Sequence, residues 1–406
     1  MTVRIGRKAA SISDSLTLAI DARYKAMVAA GEDAVSFGTG EPDFRTPDPV
    51  CEAGIRAIRD GFHKYTPSSG LPELRKAVAT ALARDCGVTY DPAQVVVANG
   101  AKQAVYEALA VLVDDGDEVL IPSPYWLSYP EMARAVGGVP VPVPCREEDG
   151  WRLHAAEVAK AAGPRARVLV LNSPNNPTGA VLSREDLAEV AGVCRDRDLA
   201  VVSDEIYDRM VYDGARNTTF AALSDDARER TVTVGGVSKT YAMTGWRIGW
   251  AAGPKAVMDA LGNLQSHLTS NAAAICQKAA LEALTGDQST IAGMVRTFDE
   301  RRRLVTRLLD AIPGLRLAPP RGAFYVFLRV DGFYGKRGGV TGSVAFCEAL
   351  LEEQQVACVP GSAFGDDRYV RLSYATAKEK IEKGCARIAG FLEGLRQVSP
   401  RGALPG

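Results

Sequence analysis

Short apolar runs recur along the chain, each closing on Gly, Ser, Asn or Pro: "QVVVANG", "DEVLIPSP", "ARVLVLNSP", "LAVVSDE" and "RTVTVGG". They are apolar at consecutive positions and rich in β-branched residues, the pattern of strands buried on both faces. Between several of them stand stretches with helical spacing, such as "AKQAVYEALAVLV" and "SREDLAEVAGVCRDRD". Strand alternating with helix predicts an α/β fold with a mostly parallel, mixed sheet covered on both sides. From residue 291 the texture changes. "MVRTFDERRRLVTRLLDAI" predicts a long amphipathic helix, and "GAFYVFLRV", "YVRLSYA" and a helical tail follow it. The expected organisation is a large domain over 47–290, a smaller α/β domain over 291–406, and an N-terminal arm over 1–46 that joins the smaller one. A short Gly/Lys/Arg stretch, "GFYGKRGGV", is expected to be a loop.

Composition narrows the function classes. The chain has 406 residues, 47% hydrophobic and 24% charged, which suits a folded protein with an ample core. A formal net charge of −1 gives no basis for a nucleic-acid or anionic-membrane partner. No apolar run reaches the roughly 18 residues that a membrane span needs. The basic start "MTVRIGRKAASISDS" has no apolar core, so no secretory signal and a cytoplasmic location are expected. Eight cysteines without a CxxC pair read as reduced thiols. Three histidines, at 63, 154 and 267, are too scattered to suggest a metal site.

In such sheets ligands bind beyond the carboxyl ends of the strands. "VVVANGAKQA" ends a strand in Asn99-Gly100-Ala101-Lys102 and opens a helix. Small residues there let backbone N–H groups approach an anion, although a plain turn has the same residues. "LVLNSPNNPTG" places Asn175 and Asn176 at another strand exit, where Asn and Pro also serve ordinary turns. "VVSDEIYDR" puts Asp204 and Glu205 at the end of a wholly apolar strand. A buried anion is costly unless it faces a cation, either a structural partner or a protonated heterocycle. Finally, "GGVSKTYAMTGWRIGW" sets Lys239 and Arg247 among small and aromatic residues, unlike either a mixed surface or a core.

Seven motifs stand in order between residues 40 and 375, within a similarity that covers about residues 11–395: "GEPDF", "YTPSSGLPELR", "SPYW", "NSPNNPTG", "SDEIY", "SKTYAMTGWRIG" and "VRLSYA". Together they resemble the class-I aminotransferases of PLP fold type I, and in particular their bacterial aspartate aminotransferase branch. The resemblance implies pyridoxal 5'-phosphate as cofactor, bound in the large domain, and ping-pong transamination between amino acids and 2-oxo acids. It also implies a homodimer with shared active sites. Lys239 matches the lysine that holds the cofactor aldehyde as a Schiff base and moves the substrate proton. Asp204 matches the partner of the pyridine nitrogen. Tyr207 and Asn176 match the groups bonded to the ring's phenolic oxygen, and Trp126 the aromatic stacked on the ring. Arg247 matches the phosphate clamp, Gly100-Ala101-Lys102 the helix start beneath the phosphate, and Tyr65 a tyrosine that reaches the neighbouring subunit's phosphate. Arg371 matches the α-carboxylate arginine, whose planar fork suits a carboxylate. Gly40 matches the loop lying against the same carboxylate.

Two departures and a specificity question accompany the resemblance. A phosphate-binding hydroxyl common in the family is replaced by Gly236. The distal-carboxylate arginine of animal-type enzymes is absent, and "LQSHLTSNAA" offers Ser266 and His267 in its place. In the bacterial branch a lysine and N-terminal hydroxyls take over, matching Lys102, Ser15 and Thr17. A cation plus two donors favours a dicarboxylic substrate, so L-aspartate with 2-oxoglutarate is expected. Prephenate users carry a basic residue shortly before those hydroxyls, where this chain has Ser13. The alternatives are an aminotransferase for aromatic amino acids, kynurenine or prephenate, and a C–S lyase on the same fold. A PLP-sensing regulator would need a DNA-binding segment ahead of "GEPDF", and none is expected.

Overall fold

The computed structural model describes residues 3–13, 16–336 and 339–397. Ser15 and part of the "GFYGKRGGV" loop lie outside the described residues. All five apolar runs form strands of one seven-stranded sheet: β1 (Val95–Ala98), β2 (Glu118–Ser123), β4 (Ala166–Asn172), β5 (Ala200–Asp204) and β6 (Thr231–Gly236). Two further strands complete it, β3 (Val139–Pro144) and β7 (Gly249–Ala252). The order is β1-β7-β6-β5-β4-β2-β3. Strands β2 to β6 pair in parallel, and β7 runs antiparallel to both of its neighbours. Every residue of β1, β6 and β7 is buried, as expected for a sheet covered on both faces.

The sequence pattern did not announce β3, because "VPVPVP" carries a proline at every second position. That same period explains the strand. Alternate N–H groups of a strand point to one side, so Pro140, Pro142 and Pro144 remove donors along a single edge. The other edge keeps its donors, and β3 pairs only with β2. Val139 N and Cys145 N donate towards that side, to Asp117 O and Ser123 O, each at 2.8 Å. An edge that cannot donate also cannot recruit another strand.

The C-terminal part is built on an antiparallel sheet of β8 (Arg316–Leu317), β9 (Tyr325–Arg329), β10 (Val359–Pro360) and β11 (Tyr369–Ser373), ordered β10-β11-β9-β8. Helices Ser289–Asp310 and Lys378–Gln397 pack together beside it. The early chain reaches this part through Val35–Ser36, which pairs in parallel with Val356–Ala357. One apolar cluster runs through both sheets. Its link is aromatic: Phe298 stacks on Phe324 at 5.2 Å, and Phe324 meets the ring of Tyr207 at 5.5 Å. The second sheet is thereby held against the carboxyl ends of the first. The cysteines carry no disulfide, but two buried ones, Cys347 and Cys358, bring their sulfurs to 3.3 Å.

Candidate active site

Asp204 is the last residue of β5 and lies opposite Asn172, the last of β4. The two strand ends are tied by side chain and backbone. Asn172 Nδ2 donates to Asp204 O at 3.0 Å, and Asn172 Oδ1 accepts from Asn176 N at 2.9 Å. The Asp204 carboxylate is 3% exposed. It accepts from the Tyr129 hydroxyl at 2.8 Å and from Ile206 N at 3.2 Å. Burial pushes it up to about 6, against the opposing pull of these two donors and of Lys239. Its two hydrogen-bond partners are neutral, and a cation at the carboxylate would improve on them.

Lys239 follows β6 by three residues and donates from Nζ to Gly40 O at 2.6 Å. Burial pushes its amine down to about 8, opposed by Glu41 and Asp204 and assisted by Arg371 and Arg247. Arg371, in the central part of β11, is 3% exposed. Its Nη1 donates to Asn176 Oδ1 at 3.1 Å and its Nη2 to Gly38 O at 2.7 Å, while Nε has no partner. The guanidinium lies 4.6 Å from the Tyr325 ring and 5.0 Å from that of Phe364. Among the described residues no carboxylate forms an ion pair with it. Burial accordingly lowers its affinity for its proton.

A second cation stands at the start of the helix Ala101–Leu112. Gly100 caps this helix with φ +86° and no side-chain bond. Arg247 presses on it so closely that a Cβ at Gly100 would lie 2.4 Å from Arg247 Nη2. Gly249, in β7, is equally confined, since its Cβ would lie 2.2 Å from Ala101 N. Arg247 itself takes φ +56° and donates only to backbone oxygens, Thr244 O at 2.9 Å and Asn99 O at 3.3 Å. Helix N–H groups beside an arginine that pairs with no carboxylate among the described residues make an anion cradle.

Two more residues close the site. Tyr207 shares a 2.8 Å hydrogen bond with the Tyr325 hydroxyl. Trp126, half-buried, meets Tyr129 edge-on at 5.2 Å, and Lys102 Nζ lies over the Trp126 ring at 4.8 Å. Burial and the charge of Arg247 lower the Lys102 amine's affinity for its proton. The contacts thus bring together Lys239, Gly40, Asp204, Tyr207, Asn176, Trp126, Arg371, Lys102, Gly100, Ala101 and Arg247. Tyr65 is set apart at 91% exposed. Thr17 lies in the helix Leu16–Ala29, and Ser266 and His267 are exposed on the helix Lys255–Leu268. Sequence reasoning missed Tyr129, Tyr325 and the Gly38 carbonyl, because nothing local distinguishes them from core or turn residues. Among the described residues no cluster of His, Cys, Asp and Glu could hold a metal, and no helix is long and apolar enough to cross a membrane.

The family model described as "Aminotransferase class I and II" matches residues 32–388. The chain belongs to the class I and II aminotransferases. This aminotransferase is 43% identical over 391 residues to an aspartate aminotransferase of Geobacillus stearothermophilus, covering 96% of this chain and 99% of that one. It is 44% identical over 391 residues to an aspartate/prephenate aminotransferase of Cereibacter sphaeroides, covering 95% and 98%. Among solved structures it is similar to the aspartate aminotransferase of Thermus thermophilus with maleate, at 40% identity and a TM-score of 0.91, covering 96% and 100%. The aspartate aminotransferase of Rhizobium meliloti gives 40% identity and a TM-score of 0.93, covering 97% and 99%.

Aminotransferases of this type use pyridoxal phosphate, and the buried charges of the site suit it. Asp204 has no ion-pair partner among the described residues, and a protonated ring nitrogen would supply one. Arg247 beside the helix start is a cationic, donor-rich cradle with no carboxylate partner among the described residues, a place that a phosphate would fit. Lys239 is an amine held close to neutrality, the form that attacks an aldehyde. Because its folded value lies below the ordinary 10.5, the charged amine costs stability at neutral pH, and the cost fades as pH rises from about 8 towards 10.5. In the cofactor-free protein, acylation of Lys239 followed by mass spectrometry is expected to rise with a midpoint near 8. Exposed lysines titrate about two units higher. A Lys239 midpoint that coincides with theirs contradicts the burial argument.

Proposed function

We propose that this aminotransferase exchanges the amino group of L-aspartate with 2-oxoglutarate, giving oxaloacetate and L-glutamate by a ping-pong sequence. The observation that carries the reading is Arg371, a fully enclosed guanidinium with an unpartnered Nε and no anion in reach among the described residues. Such a cation is costly unless a ligand brings the counter-charge, and a planar α-carboxylate matches the fork. Lys102, a second cation without an ion pair among the described residues, gives a place for a distal carboxylate across the Trp126 ring. Ser15 and Thr17 are proposed as further donors to it.

The cofactor, when bound, supplies an aldehyde that captures the amino group and a ring that spreads the negative charge developing at the substrate Cα. The chain does the rest. Lys239 Nζ, whose proton affinity burial lowers, would accept the proton from the substrate Cα and return it to the carbon that carried the aldehyde, two bonds away. Asp204 would keep a proton on the ring nitrogen, and Tyr207 and Asn176 would serve the ring oxygen. Arg247 and the N–H groups from Ala101 onwards hold the phosphate. Trp126 covers the ring face, and Gly40 leaves room beside Arg371, since its Cβ would lie 3.1 Å from the Tyr325 hydroxyl. A second acceptor, prephenate, also carries two carboxylates, and the 44% identity to an aspartate/prephenate enzyme favours it over neutral substrates. The compartment is proposed to be the cytoplasm.

Tyr65 suggests the assembly. An aromatic hydroxyl left 91% exposed on one chain is proposed to serve the phosphate of a partner subunit in a homodimer. Sedimentation of the active enzyme is expected to give a dimer, and an active monomer removes Tyr65 from the site. For specificity, Lys102→Ala is expected to lower kcat/KM for aspartate by about 10- to 100-fold while sparing phenylalanine, since a charge-assisted contact is worth on the order of 1.5–3 kcal/mol. An unchanged ratio of the two substrates contradicts the distal-carboxylate role.

A further inference from the structure

Tyr325 is buried in β9, and its side chain touches two parts of the site at once. Its hydroxyl and that of Tyr207 lie 2.8 Å apart, and its ring faces the Arg371 guanidinium at 4.6 Å. The neighbouring strand β11 carries Arg371, so backbone pairing fixes both residues on one small sheet. Phe324, the preceding residue, also packs against the Tyr207 ring, edge-on at 5.5 Å. A single strand therefore grips both Tyr207 and the carboxylate clamp.

We propose that Tyr325 is a positioning residue that aims the Tyr207 hydroxyl proton into the site and holds the Arg371 fork in place. The inference rests on the reading of the site given above. Only one proton lies between two phenol oxygens, so whichever tyrosine donates leaves the other's proton free to point elsewhere. The Arg371 cation faces the Tyr325 ring at 4.6 Å and loosens the Tyr325 hydroxyl's hold on its proton, an effect second there only to burial, whereas on Tyr207 it ranks behind burial and Tyr325 itself. Tyr325 is thus the donor and Tyr207 the acceptor. The Tyr207 proton is then left to meet an anionic oxygen in the site. Without the Tyr325 hydroxyl, Tyr207 turns freely and gives that oxygen less support.

Two substitutions separate the roles. Tyr325→Phe keeps the ring on Arg371 and removes the hydroxyl, whereas Tyr325→Leu removes both. Each protein is loaded with pyridoxal 5'-phosphate, and the pH midpoint of its visible absorbance is measured without substrate. The dissociation constant of succinate, a non-reacting dicarboxylate, is measured from the same spectrum. A less supported anionic oxygen holds a neighbouring proton more tightly, so Tyr325→Phe is expected to raise the midpoint by about 0.5–1 unit. Succinate binding to the phenylalanine variant is expected to stay within about two-fold, while Tyr325→Leu weakens it by about 3- to 30-fold, the range of a partly desolvated cation–π contact. An unmoved midpoint in Tyr325→Phe overturns the proton claim, and equal succinate binding by all three proteins overturns the clamp claim. The phenylalanine variant decides the first even where the leucine variant folds poorly. Wild-type protein that takes up no pyridoxal phosphate overturns the site reading itself, a separate result.

Discussion

Burying a charge without its partner is the constraint around which this site is organised. Asp204 closes a buried interior strand, and its oxygens meet only a phenol and a backbone N–H. Arg371 is enclosed by carbonyls, an amide and aromatic faces. Arg247 points its donors at backbone oxygens beside an uncapped helix start. Asp204 and Arg371 lose solvation that nothing among the described residues restores in full, whereas Arg247 stays exposed at the rim of the site. Their signs are complementary to a zwitterionic ligand set: a cation at one end, an anion at the other, and a carboxylate beyond. The shifts of Asp204 to about 6 and of Lys239 to about 8 record that imbalance.

The scaffold is what makes the imbalance tolerable. Parallel strands ending together put Asn172 and Asp204 side by side, and the Asn172 side chain locks the loop carrying Asn176. Glycines at 100 and 249 allow β7, the helix start and Arg247 to approach at distances that a Cβ would forbid. The second sheet brings Arg371 from far along the chain and is held by the Phe298–Phe324–Tyr207 aromatic contacts. Placement of charged groups on strand ends and paired strands, not on free loops, fixes their geometry before a ligand arrives.

Much of this was legible in the sequence. Five apolar runs marked strands of the large sheet because burial on both faces leaves a continuous apolar signature. Lys239, Asp204, Arg247 and Arg371 stood out because charges are rare in such surroundings, and the motif order supplied their roles. β3 escaped notice because its prolines, read locally, deny a strand, and they become intelligible only once the strand is known to lie at an edge. β7 is short and rich in glycine and alanine, with no period of its own. Tyr129 and Tyr325 were invisible for a different reason. Each looks like an ordinary core aromatic, and its function lies in a hydrogen bond between residues 75 and 118 positions apart. The thiol contact between Cys347 and Cys358 likewise depends on tertiary packing alone.

The central claim is that the site holds charges that only a ligand completes, and Asp204→Asn tests it most directly. The Asp204 carboxyl sits at about 6 in the folded chain, above the ordinary 3.8, so whatever stability its proton contributes is lost as pH rises through 6. At pH 8 the buried carboxylate is therefore a burden that asparagine lacks, and asparagine can still accept from Ile206 N and donate to the Tyr129 oxygen. The measurement is urea unfolding at pH 8 of both proteins, free of cofactor and loaded with pyridoxal phosphate. The account predicts a cofactor-free variant as stable as wild type or more so, by up to about 3 kcal/mol, and a much smaller gain on loading. A variant that is clearly less stable than wild type without cofactor, and gains as much as wild type with it, would contradict the account.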